Sequence, residues 1–143
     1  MNTKSLLLFL CFFILTGCLK FDSDRELVES ILESNLVFKE LQKISPNLKL
    51  EFIDVHNFMN PNVRLRYNEF ETIVKRDEDI LNKIGRIDFI SSNERLILIT
   101  YKELSTSEFN IFIYHPNSGM IITNKIRRKG ERYEIVEQEI GDL

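Results

Sequence analysis

The sequence has little cysteine, little histidine and no excess of cations. Its two cysteines, Cys11 and Cys18, both lie near the start. From residue 19 onward there is no thiol, so that part can form no internal disulfide and has no cysteine nucleophile. There is no Gly-x-Ser-x-Gly elbow, no His-Glu-x-x-His pair and no glycine-rich phosphate loop. The common signatures of serine hydrolases, zinc peptidases and nucleotide binders are therefore missing. Lys and Arg number 19 against 22 Asp and Glu, a net charge of −3, which gives no support to nucleic-acid binding. No internal repeat or low-complexity segment interrupts the chain.

What is present begins with Lys4 and the apolar run Leu6 to Leu15, followed by the small residues Thr16 and Gly17 and then Cys18. A charged start, an apolar middle and small residues at a cut site form the layout of a secretory signal. The uncharged stretch 5–19 would span about 22 Å as a helix. A bilayer core is about 30 Å thick, so the run is short for a transmembrane span. Leu15-Thr16-Gly17-Cys18 resembles the lipobox of bacterial lipoproteins. The resemblance implies cleavage between Gly17 and Cys18, a thioether-linked diacylglyceryl group on Cys18, and often acylation of the new amino terminus. The residue types suit those steps. A thiolate attacks an activated lipid readily, Gly17 and Thr16 fit a narrow peptidase groove, and Leu15 fills an apolar pocket.

The expected organisation is a signal peptide over 1–17, a lipidated tether over 18–23 and one globular domain over 24–143. Lys4 is the only charge lost with the signal, and the remaining length suffices for an ordinary core. An exported compartment permits disulfides, yet the domain has none to form and must hold by burial alone. Leu19, not aspartate, follows Cys18. In a cell with two membranes the resemblance then implies the periplasmic leaflet of the outer membrane. With one membrane, it implies the extracytoplasmic face of the cell membrane.

Within the domain, Ser23 and Glu26 match a capping box for a helix from Asp24. Leu27, Val28, Ile31, Leu32, Phe38 and Leu41 keep helical spacing as far as Ser45-Pro46-Asn47. Leu48, Leu50 and Phe52 alternate with charges, as do Val63, Leu65 and Tyr67, which predicts two strands in a hairpin around Asn60-Pro61-Asn62. Asn68 and Glu71 predict a second helix through Phe70, Ile73, Val74, Ile80, Leu81 and Ile84 to Gly85, bent or divided near 76–79. Strands are expected over 87–91, 95–102, 109–115, 120–127 and 132–139, joined by short turns that favour an antiparallel meander. The fold class is α+β, two helices on an antiparallel sheet of five to seven strands. The element order is similar to cystatin-like and NTF2-like layouts.

Candidate chemistry is sparse. Asp54 and His56 stand two apart near a strand end, so they could share a face, but no third ligand can be named and no metal site is expected. His115 precedes Pro116-Asn117-Ser118-Gly119, where turn chemistry explains the neighbourhood, and is expected at the surface. Lys125, Arg127, Arg128, Lys129 and Arg132 surround the last hairpin. Nearby glutamates point to a solvated tip that resists edge pairing rather than to a contact for phosphate headgroups or an acidic partner. Both faces of strands 95–102 and 109–115 are apolar, which leaves one face for the helices and the other to be buried by the sheet curling over it, the favoured reading, or to line a pocket or meet a partner. The candidate partner-binding side carries Tyr101, Phe112 and Tyr114. The expected function is that of a non-enzymatic envelope lipoprotein whose domain binds another protein, as part of an envelope complex or as an inhibitor or immunity-type protein. The alternative is a carrier or sensor with an apolar ligand pocket. No cofactor is expected.

Overall fold

A computed structural model describes residues 24–46, 49–67, 69–77 and 79–142. The expected signal peptide and tether, with Gly17, Cys18 and the expected cap residue Ser23, lie outside them, as do Asn47, Leu48 and Asn68. The chain is α+β. Helix α1 covers 24–33 and α2 covers Asn35–Ile44. Strands β1 (Glu51–Asp54), β2 (Arg64–Tyr67) and β3 (Phe70–Ile73) follow, then the short helices α3 (Ile80–Lys83) and α4 (Ile87–Ser92). The chain ends in β4 (Leu96–Glu103), β5 (Glu108–His115), β6 (Met120–Lys129) and β7 (Arg132–Asp142). One sheet has the order β1-β4-β5-β6-β7, and β2 and β3 form a second, two-stranded sheet.

The meander from β4 to β7 is antiparallel throughout, as its short connections require. Its turns use Gly119 and Gly130 at φ of 75° and 64°, a region open to glycine at little cost. Helices α1 and α2 bury Leu27, Val28, Ile31, Leu32, Val37 and Leu41 on one sheet face. That face supplies Phe52, Ile97, Ile99, Phe109, Ile111, Ile113, Ile122 and Ile126. The single helix expected over this region is divided at Ser34, whose backbone leaves helical geometry at ψ 141°. Its hydroxyl donates to the Ile31 carbonyl at 2.7 Å and accepts Gln138 Nε2 at 3.0 Å. The same Gln138 nitrogen donates to Asn124 Oδ1 at 2.8 Å, and Asn124 Nδ2 donates to the Ile111 carbonyl at 3.1 Å. A fully buried asparagine in an apolar core is thus satisfied through a chain of bonds that ties the helix break to β5, β6 and β7.

Three expectations are corrected. First, β1 and β2 form no hairpin: β1 runs parallel to β4, and β2 pairs with β3. Second, residues 70–73 are a strand, not the start of a helix. Thr72, Ile73 and Val74 are consecutive β-branched residues, stiff at χ1 and better suited to a pleated surface. Arg64 and Arg66 across the ladder face Ile73 and Glu71, and only 80–83 of the expected second helix is helical. Third, 87–92 is a helix, not a strand. Ile87 is 85 % exposed, so the apolar alternation there reports no buried sheet face. Ser92 Oγ donates to the Asp88 carbonyl and Asn93 Nδ2 to the Phe89 carbonyl, both at 2.8 Å, which closes the helical turn from its C-terminal end.

Candidate functional site

The register of β4 on β5 decides which side chains share a surface. Tyr101 stands opposite Ile111, Thr100 opposite Phe112 and Leu98 opposite Tyr114. Directly paired residues point to the same face, so Tyr101 lies on the helix-covered side and Phe112 and Tyr114 on the other. The three do not form one surface, which corrects the expectation that grouped them. Tyr101 packs against Phe58, with ring centroids 5.4 Å apart, and meets His56 edge-on at 6.0 Å. Both neighbours belong to the segment that follows β1.

The second face has an uneven cover. Over β1 and β4, Ile53, Leu96 and Leu98 are buried with Ile80 of α3, and Ile84 and Phe89 pack against them. Tyr114 borders this small core. Farther across the sheet Phe112, Ile121 and Thr123 are half-buried, with Phe112 opposite Thr123 and Tyr114 opposite Ile121. Beyond them lies an open cavity of about 250 Å³ lined by Leu104, Asn110, Thr123, Lys125, Glu137 and Glu139. Asn110 lines it, and its buried Oδ1 accepts no hydrogen bond among the described residues. The surface therefore passes from aromatic to polar along the sheet.

The cationic cluster at the last hairpin is largely neutralised from within. Glu108 pairs with Arg127 at 3.0 Å and Lys125 at 3.5 Å, and Lys129 pairs with Glu134 at 2.7 Å. The Arg127 hydrogen bond, with the nearby Lys125 charge, holds the Glu108 carboxyl below the usual glutamate range. Lys129 does the same for Glu134. Arg128 sits over the Phe109 ring at 4.9 Å. These contacts leave little free charge for an anionic surface.

Asp54 and His56 part ways. Asp54 is 2 % exposed and its Oδ2 accepts the Met59 N–H at 2.7 Å, closing the 54–59 loop in which Asn57 takes a φ of 55°. His56 is exposed. Among the described residues no group of three or more His, Cys, Asp or Glu is placed to hold a metal ion. His115, expected at the surface, is instead 3 % exposed. Its Nε2 lies 2.8 Å from the Glu94 carbonyl, which can only accept, so Nε2 carries a proton, and Nδ1 meets Ser118 Oγ at 2.7 Å. The ring pins the β5–β6 turn to the start of β4. Neither histidine's role was legible in the sequence, because each depends on which distant carbonyl or ring the fold brings near.

Among the described residues no helix is long and apolar enough to cross a membrane. Comparison of the chain with protein-family models, with curated proteins and with solved structures found no match.

Proposed function

We propose that the protein is a non-enzymatic lipoprotein of the cell envelope, anchored through lipid on Cys18, whose domain binds another protein. Anchorage is supported by the charged start, the apolar run and Leu15-Thr16-Gly17-Cys18. Two acyl chains on one cysteine meet the usual two-signal requirement for stable anchoring. Binding is supported by the uneven cover of the second sheet face, where Phe112, Tyr114 and Ile121 are half-buried beside a polar rim. Aromatic side chains in such a setting are typical interface anchors. The cavity beside them is open and carries charge, which suits a protein contact better than an apolar carrier pocket.

The anchor also gives the face an orientation. From Cys18 to Asp24 the chain reaches about 20 Å when fully extended. Tyr133 donates its hydroxyl proton to Asp24 Oδ1 at 2.6 Å, which joins the start of α1 to the β6–β7 hairpin. The β4–β5 connection lies at this end too, since Arg128 N–H donates to the Ser107 carbonyl at 2.7 Å. The face then extends away from the membrane toward Tyr114 and the β5–β6 turn.

The test is co-purification of full-length protein from its native membranes, comparing wild type with Phe112→Ala, Tyr114→Ala and Cys18→Ala. A partner retained by wild type and lost in the two aromatic variants, with Cys18→Ala shifted to an unprocessed or soluble species, is the expected result. Normal membrane fractionation and unchanged mass in Cys18→Ala would overturn the anchorage. A partner retained by both aromatic variants would overturn the face.

A further inference from the structure

The β1 edge of the main sheet opens into a fork. Along β1, alternate residues face opposite sides. Glu51 N–H donates to the Arg95 carbonyl and Val55 N–H to the Ile99 carbonyl, both at 2.9 Å, so these residues face β4. Phe52 and Asp54 face outward and bond to Lys75: the Phe52 carbonyl accepts the Lys75 N–H at 2.9 Å, and Asp54 N–H donates to the Lys75 carbonyl at 3.1 Å. This parallel bridge ends the pairing. Upstream, Leu50 turns its backbone to the same outer side by the two-residue period. On the other arm Val74 N–H donates to the Val63 carbonyl at 2.9 Å, so Val74 faces β2 and Ile73 faces β1. Leu50 and Ile73 nevertheless do not bond, because the two strands have already parted. Two strand edges face each other across a gap, each with backbone groups available to a third strand.

The gap is a cavity of about 440 Å³. Its walls carry four cations, Lys49, Arg64, Lys75 and Arg95, against two carboxylates, Glu51 and Glu71. Lys75 pairs with Glu51 at 3.0 Å and Arg64 approaches Glu71 at 3.7 Å, all four side chains being more than half exposed. Lys49 and Arg95 have no ion pair among the described residues. In a protein with a net charge of −3 the fork is thus locally cationic. We infer that the fork between β1 and β3 is a docking site for an extended, acidic segment of a partner protein. The segment would complete the interrupted sheet by backbone bonds to Leu50 and Ile73 and set its carboxylates against Lys49 and Arg95. This site is separate from the Phe112–Tyr114 face and does not depend on the lipid anchor.

The experiment uses the full chain in detergent and a fluorescein-labelled Glu-Val-Glu-Val-Glu peptide, followed by polarisation and by amide chemical shifts. Saturable binding is expected, weakened by salt, with shifts centred on Leu50, Phe52 and Ile73. The exposed pair Lys49→Glu and Arg95→Glu should lower affinity at least tenfold without changing Tm. A peptide N-methylated at alternate residues, with its charges intact, should lose affinity by a similar factor because it cannot pair as a strand. Equal binding of Lys-Val-Lys-Val-Lys, full affinity of the N-methylated peptide, or unchanged affinity in the charge variant would overturn the proposal. Inorganic phosphate producing the same saturable shifts would reduce the fork to a small-anion site. Self-association lost in the same charge variant would assign it to a second copy.

Discussion

Asp54 shows how one buried carboxylate can hold a loop. Its Oδ2 takes the Met59 N–H, and Met59 itself is buried against the main core. Its Oδ1 has no hydrogen-bond partner among the described residues. Removing the side chain strands the Met59 N–H, and an orphaned buried donor costs about 1–3 kcal/mol. Asp54→Ala is therefore expected to destabilise the domain by about 2 kcal/mol. Asp54→Asn keeps an acceptor and should cost less, and urea unfolding of the two variants measures the difference. Equal losses would mean that the carboxylate acts through something other than this bond. The same logic separates His56 from His115: one is exposed beside a ring, and the other is buried between a carbonyl and a hydroxyl. No residue-level signal distinguished them. The partners of His115 are Ser118, close in sequence, and Glu94, far from it.

At the scale of elements, the four long strands were legible because runs rich in apolar and β-branched residues continue over eight residues or more, alternating in burial along β5 and most of β6, and the turns between them carry glycine or short polar runs. The short elements were not. Phe70, Ile73 and Val74 fit helical spacing by coincidence, and four residues are too few for period alone to choose. Ile87 and Phe89 alternate, yet only Phe89 of the two packs against other residues. The division at Ser34 leaves no mark on the helical spacing, and one of the bonds at the break comes from Gln138, more than a hundred positions away. Tyr101 is the instructive error. Its side within β4 was correct, but its relation to β5 depends on register, and the 104–107 connection sets odd residues of β4 against odd residues of β5. A register shifted by one residue would have grouped Tyr101 with Phe112 and Tyr114. The consequence is measurable. Tyr101→Ala should lower stability by about 2 kcal/mol through lost ring packing on Phe58 and the main core. Phe112→Ala, on the less covered face, should cost about 1 kcal/mol or less. A reversed order in denaturant unfolding would contradict the assignment of faces.

For the whole molecule, one sheet organises everything described. One face is sealed by α1 and α2, and the other is partly covered by α3 and α4. The β1 edge is partly bridged by Lys75. The proposed anchor at Cys18 and the proposed binding face come from different ends of the argument, one from residue types at the start of the chain and one from incomplete cover of the sheet. They meet in the placement of Asp24 against Tyr133. The central claim is that the Phe112–Tyr114 face contacts another protein in the native envelope. The most direct measurement replaces Phe112, Tyr114 or Ile87 in turn with a photo-crosslinking amino acid in the full-length protein and irradiates intact cells. Ile87 serves as the control because it is 85 % exposed on the short helix α4 and belongs to neither proposed site. The account predicts one shared adduct from positions 112 and 114 and none of that mass from position 87. The same adduct from all three positions, or no adduct from 112 and 114, would contradict it.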